Sequence, residues 1–176
     1  AQENQGKVSA VAFFDYTFHT NQIQSTNHEF NLKRTYLTYE NSYSKELKYQ
    51  FTLDGEGLTA GSKSDNKLFV KIAKVDYTTD FGTFIIGLQG MNMFSVQEKN
   101  WGYRFIEKPA MDVVGFSPSA DLAVGYANKI SDVNFSFIIS NGTGFKKAED
   151  DKFKRFNLAL SYGEQNISSK AGYNLG

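Results

Sequence analysis

The chain has 176 residues, balances 19 Lys and Arg against 19 Asp and Glu, and contains no cysteine. The charge balance, with no basic stripe alternating with aromatics in an RNA-binding pattern, argues against a nucleic-acid partner, and the missing cysteines exclude disulfides and thiolate metal sites. No apolar run approaches the roughly 18 residues of a membrane-spanning helix; the densest is Phe84-Ile85-Ile86-Gly87-Leu88.

The 16 Phe and 10 Tyr fall mainly at alternate positions of short segments. In Leu47-Lys48-Tyr49-Gln50-Phe51-Thr52-Leu53-Asp54 one face reads Leu, Tyr, Phe, Leu and the other Lys, Gln, Thr, Asp. A period of two describes a β-strand with one apolar and one polar face. Polarity averaged over such a strand is compatible with a membrane, because a barrel strand shows lipid only every second side chain.

In chain order the pattern predicts nine strands. The opening Ala1-Gln2-Glu3-Asn4-Gln5 resembles a mature end left after removal of an export signal. The first strand runs from about Lys7 to His19, with Val8, Ala10, Ala12, Phe14, Tyr16 and Phe18 on one face and Asp15, Thr17 and His19 on the other. Its length exceeds the usual ~5–6 residues and suits the ~9–11 of a tilted bilayer-crossing strand. A long polar loop, Thr20 to Glu29, precedes the second strand, Phe30 to Glu40. There the pattern is mixed: Arg34, Thr38 and Glu40 share a parity with Phe30 and Leu32, and Leu37 and Tyr39 are placed outward.

A short turn, Asn41 to Ser44, leads to the third strand, Glu46 to Asp54, and a Gly/Ser/Asp/Asn-rich loop, Gly55 to Asn66, to the fourth, Lys67 to Tyr77. After another short turn the fifth runs from Phe81 to Gly90. Met91 to Pro118 is the longest connection and holds Trp101 and both prolines. The sixth strand (Ala120 to Asn128) turns tightly into the seventh (Val133 to Ser140). A loop from Asn141 to Asp151 leads to the eighth (Phe153 to Gly163), and a ninth starts at Ser168.

Connections therefore alternate long and short, as they do when strands reverse at the external and periplasmic rims of an outer-membrane barrel. Both prolines lie in a loop, consistent with strands that cannot lose a ladder hydrogen bond in hydrocarbon. Aromatics near strand ends, such as Phe18, Tyr39, Tyr77 and Tyr162, fit interfacial girdles. The expected class is all-β, an antiparallel transmembrane β-barrel in a bacterial outer membrane. An odd strand count, with no terminal aromatic after Asn174-Leu175-Gly176, suits one part of a larger barrel of about 16–18 strands.

Four segments carry a family resemblance. Phe30-Asn31-Leu32-Lys33-Arg34-Thr35-Tyr36-Leu37, Trp101-Gly102-Tyr103-Arg104-Phe105-Ile106-Glu107, Ser119-Ala120-Asp121-Leu122-Ala123-Val124 and Ser140-Asn141-Gly142-Thr143-Gly144 resemble, in order, segments of the phosphate-selective porins O and P and their relatives. The resemblance implies an outer-membrane channel, often a homotrimer, for small anions or general solutes. That family's phosphate preference depends on a dense set of inward Arg and Lys, whereas the inward charges here are mixed in sign, so phosphate is not carried over.

Selectivity in a wide barrel comes from pore width and rings of charge. The pore-lining and constriction candidates are Arg104 and Glu107 on the long connection, with Arg34, Lys48, Lys74, Asp76, Asp121 and Arg155 on the wall. The alternative role for these charges is to solvate a wet interior or pair with one another. No catalytic residue is assigned: His19 and His28 fall at or in the first long loop, no nucleophile elbow is present, and the histidines lack the carboxylate spacing of a metal site. Glu149-Asp150-Asp151 reads as a solvated charge run and Asn141-Gly142-Thr143 as an incidental sequon. The expectation is a non-enzymatic diffusion channel with no cofactor, whose partners are membrane lipid and small hydrophilic solutes or anions. The competing readings are a soluble or surface-exposed β-sandwich binding a glycan or protein, and a non-conducting barrel acting as an anchor or adhesin.

Overall fold

The computed structural model describes residues 5–18, 28–56 and 67–176. His19 and the long connections predicted around 20–27 and 57–66 lie outside the described residues. The strands are β1 (Lys7–Thr17), β2 (Glu29–Ser42), β3 (Leu47–Glu56), β4 (Lys67–Thr79), β5 (Gly82–Gly90), β6 (Ala120–Ile130), β7 (Val133–Ser140), β8 (Arg155–Gly163) and β9 (Asn174–Leu175). They form one antiparallel sheet in chain order, every strand beside its sequence neighbours. β1 and β9 are its two edges, and the sheet is not closed.

The sheet separates its faces as the alternation predicts. Phe14, Leu37, Phe51, Val75, Ile86, Val124, Phe156 and Leu158 are exposed on one face. Gln50, Thr52 and Asp54 of β3, Gln89 of β5, Asp121 and Ala123 of β6, and Ser136 and Ser140 of β7 take the other. No second layer covers the apolar face among the described residues. Buried hydrophobic residues are few: Met91, Phe94, Ala120, Ala123 and Ile138. The usual soluble arrangement, apolar side chains inside and polar outside, is inverted.

Aromatics on the apolar face cluster toward the short-turn end. Tyr77, Phe84, Tyr126 and Phe137 stand opposite one another in turn across β4, β5, β6 and β7. Phe84 and Tyr126 have ring centroids 5.2 Å apart, Tyr126 and Phe135 6.1 Å, Tyr39 and Tyr49 6.0 Å, and Tyr162 and Tyr173 5.9 Å. At the long-loop end Tyr16 meets Phe30 at 4.8 Å and Phe18 stacks on His28 at 4.3 Å. Aliphatic side chains such as Val75, Ile86 and Val124 lie between.

Two β-bulges set which side chains reach the polar face. Phe13 pairs with Arg34 but Phe14 with Leu32, leaving Lys33 unpaired in the ladder. Thr52 pairs with Ile72 but Leu53 with Val70, leaving Lys71 unpaired. An extra residue re-aims every side chain beyond it. The mixed parity of the second strand is thereby resolved: Phe30, Leu37 and Tyr39 share the exposed apolar face, while Arg34 turns to the other and is buried.

Other differences from the sequence reading are local. Residues 168–170 belong to a turn, with the Lys170 N–H donating to the Asn166 carbonyl at 3.0 Å, and the ninth strand shrinks to Asn174–Leu175. The β6–β7 hairpin turns on Ser131, whose φ of 54° is left-handed. The long connection contains two helices, α1 (Asn92–Asn100) and α2 (Ala110–Val113). Strand periodicity carries no signal for them. α1 is held by what it packs on: Met91 and Phe94 sit against Ala123 and Ile138, and the Asn92 amide donates to the Ser136 hydroxyl at 3.0 Å. Of its last carbonyls, which lack intrahelical donors, that of Gln97 accepts the Trp101 N–H at 2.8 Å and that of Lys99 the Ser168 hydroxyl at 2.9 Å.

Candidate functional site

The connection between β5 and β6 crosses the polar face. Its helix α1 rests on β7 and β8, and the Asn100 amide donates to the Gln165 carbonyl beyond β8 at 3.0 Å. Four residues further on, Arg104 has reached the opposite side of the sheet. There its Nη2 donates to the Tyr36 hydroxyl at 3.4 Å, and its guanidinium lies 5.1 Å from the centre of the Phe13 ring. From the long-loop end, Lys146 in the β7–β8 connection pairs with Glu56 of β3 and lies 5.0 Å over the Phe69 ring. Both connections span the same face, so the sheet curls around it.

Tyr36 is the hub of this face. Phe13 meets it edge-on at 6.4 Å. Lys71, aimed by its bulge, approaches the Tyr36 hydroxyl at 3.4 Å and lies 4.8 Å above the ring. The Arg34 guanidinium stands 5.3 Å from the same ring. Arg34 also donates through Nε and Nη2 to the two oxygens of Asp54, at 2.8 and 2.5 Å, and the Asp54 side chain is fully buried. Forked geometry of this kind gives the pair direction as well as strength.

Glu98 on α1 and Asp112 in α2 bring acidic charge toward this basic group. Burial by surrounding protein holds the Glu98 carboxyl above the usual carboxylate range; the nearby Lys71, Arg104 and Arg34 oppose the shift and Asp112 adds to it. Neither acid makes an ion pair within 4.0 Å among the described residues. Cations from β2, β4 and the connection thus lie near acids on the connection without pairing directly with them.

The predicted residues divide into distinct roles. Arg34 and Arg104 belong to the cluster around Tyr36. Lys74 and Asp76 form a half-buried pair at 2.8 Å nearer the short turns, and Lys48 is exposed directly opposite Asp76. Asp121 is buried, and its carboxylate accepts the N–H of Leu122 at 2.8 Å and that of Gly142 at 2.5 Å, clamping the end of β7. Arg155 donates to the Ser117 hydroxyl at 2.6 Å and pins the end of the long connection. Glu107 is exposed, and it closes its own loop: its carboxylate accepts the Lys108 N–H at 2.8 Å and its carbonyl the Trp101 indole N–H at 2.7 Å.

Tyr36, Lys71, Glu98 and Asp112 were not among the predicted residues. The signal for Lys71 is a lysine that interrupts Leu68-Phe69-Val70 and Ile72-Ala73, a place where a bulge re-aims a charge. No sequence period points to Glu98 or Asp112. Among the described residues no group of three or more His, Asp or Glu is arranged to hold a metal ion.

No protein-family profile matches the chain, and no curated protein matches its sequence. Residues 30–37 meet residues 101–107 through Tyr36 and Arg104, and residues 119–124 meet residues 140–144 through Asp121 and Gly142.

Proposed function

We propose that this chain forms part of the wall of a water-filled transmembrane β-barrel in a bacterial outer membrane, and that the barrel passes small hydrophilic solutes or ions by diffusion. The observation that carries this reading is the inverted arrangement of the sheet. Its apolar side chains stand bare with aromatics toward both ends, and its charged side chains line a face crossed by a long connection. A soluble sandwich requires a second sheet on the apolar face, and a single uncovered sheet of this size exposes far more contiguous apolar surface than a soluble monomer tolerates. Acyl chains cover such a face without further contacts. The edges of β1 and β9 then pair with further strands, because hydrocarbon offers no water to unpaired backbone groups.

In this reading the narrowest point lies where α1 and α2 face β2 and β4. A solute passes between Glu98 and Asp112 on one side and Arg34, Lys71 and Arg104 on the other. The mixed signs favour a general pore of modest ion preference. Assembly as a trimer and kinship with the porin family belong to the same proposal.

The test is reconstitution of the full gene product into planar bilayers, with heat-modifiable gel mobility as the readout of barrel folding. Discrete conductance steps from a heat-modifiable protein are expected. A folded protein recovered from membranes that never conducts overturns the channel and supports an anchor or adhesin. A freely soluble monomer overturns the membrane placement.

A further inference from the structure

On the short-turn side of α1 lies a half-open cavity of about 1000 Å³, bordered by the helix and the polar faces of β5 to β8, at the upper end of the ~300–1,000 Å³ usual for ligand pockets. Its lining differs in kind from the charged cluster around Tyr36. Asp80 and Lys129 are its charged residues, and both are exposed near the turns. The inner wall carries amides and hydroxyls instead, among them Asn92, Asn134, Ser136 and Ser161.

The hydrogen bonding of this wall is incomplete. Asn92 donates through Nδ2 to Ser136, but its Oδ1 is buried with no partner. The Nδ2 atoms of Asn134 and Asn174, both in the lining, are likewise buried and unpartnered. Ser161 accepts from the Gln165 amide at 3.2 Å and keeps its own proton to donate. Donors and acceptors are therefore interspersed on a surface whose inner part bears no charge. A sealed polar atom without a partner is costly.

We infer that this chamber is a binding site for a neutral polyhydroxylated solute, such as a mono- or disaccharide, on its way through the pore. Each sugar hydroxyl donates and accepts at once, which matches a wall of mixed amides and hydroxyls, whereas a charged solute finds no counter-charge on the inner wall. Aromatic faces are not turned into the chamber: Tyr126 and Phe135 contribute to the lining but belong to the row on the outer face. Binding without a stacking platform is weak, as permeation requires. The inference deepens the channel reading and rests on it for the path that delivers the solute.

The experiment uses the full gene product and two measurements. The first is saturation-transfer NMR of sucrose with the folded protein in detergent micelles, with gluconate as the charged comparison. The second is single-channel conductance in a sucrose series, with polyethylene glycol of similar size as the viscosity control. Asn134→Leu removes an unpartnered amide from the wall, and Ser161→Ala is the gentler variant should the first fail to fold. The expected result is saturable sucrose binding and current reduction, at least tenfold weaker in either folded variant. Sucrose binding that both folded variants leave intact, or a conducting protein whose current falls only with solution viscosity, overturns the chamber. A protein that binds sucrose in micelles and shows the variant effect but never conducts overturns the channel and leaves the site standing.

Discussion

Arg104 donates to the hydroxyl of Tyr36, a residue 68 positions earlier in the chain, at 3.4 Å. That contact ties the connection between β5 and β6 to the opposite side of the sheet and fixes the cluster beneath it. Tyr36→Phe keeps the ring that Phe13, Arg34 and Lys71 pack on and removes the acceptor shared by Arg104 and Lys71. The expected cost to folding is modest, about 0.5–1.5 kcal/mol, read from urea unfolding in vesicles. Protease cleavage within residues 101–108 is expected to accelerate. Unchanged cleavage removes the tether from the account.

Asp54 is fully buried against Arg34. Asp54→Ala leaves a guanidinium buried without its partner and is expected to cost about 3–5 kcal/mol. Replacing both, Arg34→Met with Asp54→Leu, is expected to restore most of that loss, because removing a buried pair together is far milder than breaking it. A double variant as unstable as the single one contradicts this.

Phe51 and Gln50 test which face meets lipid. Phe51 is exposed on the apolar face opposite Ala73, and Gln50 lies on the polar face opposite Lys74. In a barrel, Phe51→Arg is expected to cost about 2–4 kcal/mol at mid-membrane. Gln50→Arg is expected to be silent for folding and, beside Lys74, to shift reversal potentials toward anions. Equal tolerance of both substitutions contradicts the assignment of faces.

Gly87 sits opposite Lys74 with a φ of +121°, and a Cβ there would lie 2.3 Å from the Ala73 carbonyl oxygen. Both the conformation and the space are reserved for glycine. Gly87→Ala is expected to destabilise the protein by more than about 1 kcal/mol, seen as a lower urea midpoint at unchanged slope.

Glu98 supplies a pH dependence. Its carboxyl is held above the usual range, chiefly by burial. As pH falls through the raised value the Glu98 charge disappears, so if the chain lines a channel as proposed, cation preference is expected to weaken at a higher pH than for an ordinary carboxylate. The stability sign runs the other way: between the ordinary and raised values the folded protein holds the proton more than the unfolded one, so stability falls as pH rises through that window. Glu98→Gln is expected to abolish both the selectivity step and this slope. A titration that is unchanged in the variant assigns the step to another group.

Much of the architecture could be read from residue order alone. Alternation at Leu47 to Asp54 and at Arg155 to Gly163 marks strands and separates their faces, because a period of two leaves a side chain only two directions. The alternating loop lengths likewise anticipate nine antiparallel strands in sequential order. Arg34 and Arg104 stand out in the sequence as charged candidates, yet neither the bulges at Lys33 and Lys71 nor the position of α1 was legible there. A bulge is fixed by ladder register between two strands, and one extra residue reverses every facing beyond it. The meeting of Tyr36, Lys71 and Arg104, and the approach of Glu98 toward them, depend on how far the sheet curls and where α1 docks. Those are long-range packing outcomes with no local period to record them, so the tertiary structure alone decided them.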